Sequence, residues 1–534
     1  MPGENSYETA EAVSKPLIDG LELDATFDAT LPVPFRASTD GTCLHRFPPP
    51  THVNDQFRSP EAWSRLRKIS VLSLLCAATA FASVAASSYA SAKDALAAEW
   101  GISQTAAAVG ITTFTLGFAI TPMILAPLSE IWGRKLVFTL TGTLFVICQI
   151  CSAITQSYGG MLVARFFAGV GSSTYSSMIG GVISDIYKPH ERNAPMAVFS
   201  GGALFGTGLG PLFCGFIVQY LNWRWIFWVQ VIVNALNALA FLLFLPETRQ
   251  NVLLRRKADV LNQWYKAEAE SVSGFEVTIS GEERTVLSRQ IKWRTQGDEG
   301  RGSIGQMIAA SMTLPFVLLF TEPIVFFFSL WAAFSWSILY LGFAAVPLIF
   351  TTVYGFDLST ANTIFTSSCI ASLIATPISI YQERWMNTIS NPKVQLDRPE
   401  RRLYFSCVES ICLPIGLFIL GWTAREQVHW IVPAIGLGIS TLGIFSIYLA
   451  VFNYLADSYH AYASSALAAQ SFCRNCLGGI FPLVTVQMYT NLGYGPASSL
   501  LGGIGLLLTA GPWILVGYGE TIRAKSRFAS KLNQ

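Results

Sequence analysis

Between Lys135 and Lys188 the chain holds a single basic residue, Arg165, set in the run RFFAGVGSS among apolar and small neighbours. A guanidinium inside a bilayer costs about 2.5–3.5 kcal/mol on insertion scales, so a functional role is the default reading of such a residue. As a fixed charge it lowers the pKa of a nearby carboxylate and helps drive proton release. A structural ion pair, or snorkelling toward the membrane surface, is the plainer reading. Glu409 is the first choice for the proton-carrying carboxylate, because burial would raise its pKa toward a useful range and the run 71–92 contains no acid. Six more polar or aromatic side chains interrupt apolar runs: Tyr175, Trp336, Tyr340, Asn453, Gln470 and Arg474. They are the candidates for lining a substrate cavity. Helix–helix hydrogen bonding, or an interfacial belt for the Trp and Tyr residues, is the alternative for each.

Reaction chemistry does not accompany these groups. The chain shows no Ser–His or His–Asp constellation, nucleotide loop or metal cluster, so no catalytic residue, metal ligand or cofactor is assigned. Nine of the ten cysteines, all but Cys43, fall in or beside apolar stretches, where Cys148/Cys151 and Cys473/Cys476 read as small packing residues. The formal net charge of +2 says nothing about partners, and no nucleic-acid partner is expected.

The elements that must position these residues are long apolar helices. Of 534 residues, 52% are hydrophobic and 13% charged, and the mean hydropathy is +0.45. A soluble domain carries about 25% charged residues, so half the usual charge is missing. A bilayer core takes about 20 apolar residues per helix. Twelve runs qualify: 70–92, 106–126, 136–155, 159–184, 195–219 and 225–245, then 324–350, 361–381, 404–423, 428–452, 464–487 and 497–517. The run 311–350 is too long for one helix, and Thr321-Glu322-Pro323 divides it because proline favours a helix start. Residues 314–321 then form an interfacial lead-in. The predicted fold class is an all-α polytopic membrane protein of twelve transmembrane helices.

Five segments follow: a disordered cytosolic tail (1–65), a first six-helix half (66–248), a cytosolic central loop (249–313), a second six-helix half (314–520) and a cytosolic C-terminal tail (521–534). Disorder is predicted for the first because residues 4–28 hold seven acids against Lys15 alone, with a proline-rich run behind them, too little apolar area to offset ordering. Positive charge sets the orientation. Arg65, Arg67, Lys68, Arg134, Lys135, Lys188, Arg192 and the basic residues of 249–257, 384–402 and 523–531 share one side. The other side keeps only Lys93, Arg224 and Arg425, so both termini are expected in the cytosol.

One of these short loops carries more than charge. The stretch APLSEIWGRK, 126–135, places Glu130, Gly133, Arg134 and Lys135 between spans 2 and 3. Gly133 permits a tight turn, and Glu130 can cap the next helix or pair with a cation. The spacing resembles the loop motif G-x-x-x-D-R-x-G-R-R of the major facilitator superfamily, departing from it at Ala126 and Ile131. In that family the loop latches the two halves together, and Asp185 resembles the latch's acidic partner at the end of span 4. The equivalent loop between spans 8 and 9 keeps only YQERW. Arg165 resembles the family's proton-coupling arginine of span 4. In span 5, Gly206, Gly210, Pro211 and Gly215 resemble the antiporter motif G-x-x-x-G-P-x-x-G-G, with Cys214 in place of one glycine. Small residues four apart let helices approach closely, and Pro211 permits a kink. SPEAWSRLRK, NWRWIFW, LPET, TEPIV, PERRL and the long stretch through the span 10–11 turn are similar to the fungal twelve-span drug:proton antiporter branch, over about residues 58–520.

That resemblance implies a major facilitator fold, two six-helix halves rocking about a central cavity. It implies a transporter rather than an enzyme, a monomer in the lipid bilayer whose partners are protons and a small-molecule substrate, with the proton gradient as energy source. The expected function is proton-coupled export of lipophilic drugs, toxins or secondary metabolites at the plasma membrane, with a vacuolar or vesicular membrane as the other location. A related porter for a defined polar solute, such as a polyamine, an organic acid or a sugar, is the alternative.

Overall fold

The computed structural model describes residues 17–37, 44–188, 191–279, 284–295, 303–388, 399–459 and 462–525. By contacts the chain divides into two compact units. One comprises 1–65, 130–134 and 247–304, and the other comprises 66–129, 135–246 and 305–534.

The larger unit is the helical bundle. A short helix of the smaller unit, α1 (Thr51–Gln56), precedes α2 (Arg65–Trp100), α3 (Gln104–Trp132), α4 (Arg134–Ile154), α5 (Tyr158–Ser177), α6 (Ile179–Ile186), α7 (Asn193–Tyr220) and α8 (Arg224–Phe244). After α9 (Gln250–Glu268), which belongs to the smaller unit, come α10 (Ile304–Thr321), α11 (Pro323–Tyr354), α12 (Leu358–Thr363), α13 (Thr366–Thr388), α14 (Tyr404–Glu409), α15 (Cys412–Thr423), α16 (Ile431–Tyr459), α17 (Ala463–Leu492) and α18 (Tyr494–Lys525). Each predicted span coincides with one helix or two consecutive ones: span 4 is α5 with α6, span 8 is α12 with α13, and span 9 is α14 with α15. The result is two six-helix halves.

Among the described residues eleven helices are long and apolar enough to cross a membrane. One of them is α10, so ten of the twelve spans are in that set. The two missing are α5 and α17, which carry Arg165 and the pair Gln470 and Arg474. Their polarity marks the interior of the bundle. Helix α10 begins at Ile304, ten residues before the expected boundary of the second half, and runs unbroken to Thr321 with most of its length exposed. Pro323 at the first turn of α11 makes the break.

The smaller unit corrects the expectation of a disordered tail. Residues 17–65 contain β1 (Leu17–Ile18), β2 (Leu21–Asp24), β3 (Val33–Ala37) and β4 (Leu44–Arg46), while the central loop supplies β5 (Gly274–Ile279), β6 (Arg284–Ser288) and β7 (Ile291–Arg294). They form a five-stranded sheet in the order β1-β6-β5-β3-β4 and a two-stranded ribbon of β2 and β7. Ala25 and Val53 of the tail pack with Leu261, Tyr265, Phe275, Val277 and Trp293 of the loop. The buried Lys257 donates to the carbonyls of Thr26 (2.8 Å) and Phe27 (3.0 Å), and Tyr265 donates to that of Pro32 (2.8 Å). The tail lacks apolar area of its own, but the loop contributes it. Residues 1–16 and 526–534, at the outer ends of the two predicted tails, lie outside the described residues.

Candidate functional site

Arg165 is wholly buried on α5. Its Nη1 donates to the carbonyl of Ala85 on α2 (3.1 Å) and its Nε to that of Gly110 on α3 (3.3 Å). The guanidinium lies over the rings of Tyr89 (4.8 Å) and Phe114 (4.3 Å). Backbone dipoles and aromatic faces thus stabilise it, and among the described residues no carboxylate pairs with it. Gly110 makes this close approach possible, since a side chain there would strike the Tyr89 ring.

At the centre of the bundle, α2, α3, α5, α7, α11 and α17 enclose a cavity of about 20 Å³, room for about one or two water molecules. Trp336, Tyr340 and Arg474 line it with Ser83, Ser176 and Thr207. Arg474 is 2% exposed. Its guanidinium stacks 4.6 Å from the Trp336 ring and 5.0 Å from the Tyr448 ring. Of the six candidate residues Trp336, Tyr340 and Arg474 come together at this cavity. Tyr175 does not. Its ring packs against Phe138 and Phe241 and its hydroxyl donates to the carbonyl of Phe138 (3.3 Å), while its neighbour Ser176 turns inward. One residue along a helix turns the side chain by about a hundred degrees, which the span alone does not fix. Gln470 is buried with its Nε2 unpartnered, but it lines neither this cavity nor the next.

Asn453 and Glu409 meet elsewhere, in a second cavity of about 70 Å³ where the basic turns join the helices. Asn453 donates to the side chain of Asn193 (2.7 Å), and the half-buried Glu409 accepts from Gln382. Glu383 of YQERW is also there. Arg402 binds it at 2.9 Å and binds Asp457 at 2.9 Å. The loop between spans 8 and 9 thus keeps an acid–Arg–acid bridge, although its sequence has lost the motif. Arg402 and Asp457 were not expected. The clue was the basic PERRL run opposite an acid at the end of α16.

The two halves touch along α7. Gly206 and Gly210 face α2, where a side chain would collide with the backbone at Ala80 and Val84, and Gly215 faces Asn362 of α12. Pro211 is buried within the same helix. At the basic end, Phe452 rests on Gly180. At the opposite end, Gln219 donates to Asp357, and Gln487 donates to Thr105 (2.9 Å). Hydrogen bonds from Thr360, Gln219 and Ser359 hold the Asp357 carboxyl down at about 2. A depressed pKa means the contact is lost only as the pH falls through that value, so milder acidification leaves it intact.

In the turn before α4, Gly133 adopts a left-handed φ of 99°. The carboxylate capping α4 belongs to Glu247 of LPET rather than to Glu130. Its Oε1 accepts from the backbone N–H groups of Arg134 (2.9 Å), Thr248 (3.0 Å) and Arg249 (2.9 Å). Glu130 instead pairs with Arg249 at 3.3 Å. Arg134 is buried and Lys135 partly so, and Asp185 is buried near the end of α6.

The profile of the Major Facilitator Superfamily matches residues 74–482. The chain belongs to the major facilitator superfamily. This facilitator is 30% identical over 525 residues to the efflux pump FUB11 of Gibberella moniliformis, covering 98% of this chain and 82% of that one. It is 31% identical over 474 residues to the multidrug transporter mdrA of Aspergillus fumigatus, covering 89% of this chain and 74% of that one. Among solved structures the proton:xylose symporter XylE is similar at a TM-score of 0.56 and 14% identity, over 84% of this chain and 96% of that one, a likeness of fold alone. A member of this superfamily is a membrane transporter of small molecules and not an enzyme.

Proposed function

We propose that this facilitator is a proton-coupled exporter of lipophilic small molecules, acting by alternating access in the plasma membrane with both termini in the cytosol. The observation that carries the reading is the central cavity, where polar and aromatic side chains from both halves meet beside the buried Arg165. Relatives named as an efflux pump and a multidrug transporter support the outward direction. The split of basic residues between the two sets of turns supports the orientation. In this scheme Glu409, in its cavity at the basic end, carries the proton, and Arg165, which no carboxylate among the described residues pairs with, is linked to it through the rocking of the halves rather than by direct contact.

The test uses a pump-deficient fungal host expressing the full chain, loaded with anionic fluorescein or a cationic rhodamine. Cells with the parental chain should retain less probe than cells without it. Arg165→Ala should reach the membrane yet lose efflux, and Arg165→Lys should restore it in part, because charge is kept while the planar fork is not. Parental efflux by Arg165→Ala with an unchanged pH dependence makes Arg165 structural. Tags at both termini should survive external protease on intact cells, and cleavage of either one overturns the orientation.

A further inference from the structure

Around the central cavity the bundle is charged with one sign. Arg474 lines the central cavity almost fully buried, its Nε has no hydrogen-bond partner, and among the described residues no carboxylate pairs with it. Arg165 is the second interior cation, and its Nη2 is also unpartnered. Tyr340 lies within electrostatic reach of both guanidinium groups. No Asp, Glu or Lys lines the cavity. The buried carboxylates of the bundle, Asp185, Glu322 and Glu400, lie at helix ends, where Glu322 accepts from Tyr459 (3.1 Å) and Glu400 pairs with Arg523; Glu99 and Glu409 are held at helix ends by Arg224 and Gln382.

A buried guanidinium is costly without a counter-charge, and removing it from water is compensated only by hydrogen bonds and an opposite charge. The aromatic faces of Trp336 and Tyr448 supply part of that compensation. They leave a planar fork beside a cavity that opens in the transport cycle. Such a fork matches a carboxylate in two parallel hydrogen bonds. The rings of Trp336 and Tyr340 offer flat apolar surface for the remainder of the molecule.

We propose that the central cavity takes amphipathic organic anions, molecules with a planar apolar body and a carboxylate or similarly acidic group, and that Arg474 is the residue that binds the acid. Arg165 adds a second positive charge to the same interior and disfavours cations of equal size. This rests on reading the cavity as the translocation site, but it does not depend on the direction of transport.

The test is a binding measurement on the purified full chain. Thermal unfolding is followed with naphthoate and, separately, with naphthylmethylamine, which share a ring system and differ in charge. A ligand that binds only the folded chain raises the midpoint. Naphthoate should raise it and the amine should not. Arg474→Gln should weaken naphthoate about tenfold to a hundredfold, the size of one charge-assisted hydrogen bond. Arg474→Lys should recover part of that loss. The parental comparison of acid and amine needs no variant, so a poorly folded Arg474→Gln does not rescue the idea. Equal shifts, a larger shift with the amine, or no shift with either overturns the anion site. Export of rhodamine without any naphthoate preference sinks this proposal alone, whereas naphthoate binding without export sinks the export reading alone.

Discussion

One carboxylate oxygen of Glu247 holds three backbone N–H groups at the start of α4 and the chain beyond the eighth helix. With that turn fixed, Glu130 is left to a half-exposed ion pair with Arg249. Exposed pairs are worth about 0.2–1 kcal/mol, weak enough to break and re-form at each cycle. Glu130→Ala should therefore slow maximal transport a few-fold while leaving substrate affinity nearly unchanged, as concentration-dependent efflux would show. A large affinity change at an unaltered maximal rate would contradict a gating role. Arg165 and Arg474 were legible in the sequence because charge inside an apolar run is rare. Glu247 was not, because the amide it caps at Arg134 is 113 residues away. Tyr175 was misplaced because a span fixes the depth of a residue but not its face.

Helix α7 shows what a single element does for the whole. Its glycines let the backbone of α2 close on one side, within the first half, and receive the side chains of Asn362 on α12 and Thr376 on α13 across the seam on the other. The spacing of Gly206, Gly210 and Gly215 announced this, since close approach is a local property of small residues. The strands of the tail were not announced. β1 pairs with β6 and β2 with β7, at a separation of about two hundred and seventy residues, which no local pattern in so short a strand reveals. Deleting residues 1–55 should expose the edges of β5, β6 and β7 and remove the acceptors of Lys257. Limited proteolysis of membranes should then cut the central loop several-fold faster. Unchanged cleavage would mean that the loop folds without the tail.

At the scale of the molecule, twelve spans in two halves follow from hydropathy, because an apolar run of about 20 residues spans a bilayer as a helix that satisfies its own backbone. The cavity at their centre does not follow from hydropathy, since it depends on which faces of six helices converge. It is now small, and transport requires the halves to part first at one end and then at the other. The claim that joins these facts is that a proton gradient drives this opening toward export. Everted plasma-membrane vesicles carrying the full chain, acidified inside by the host proton pump, test it most directly. Anionic fluorescein should accumulate in the lumen only while the lumen is acid, and a protonophore should abolish the accumulation. Accumulation that persists after the gradient is collapsed, or that appears only when the gradient is reversed, would contradict proton-driven export.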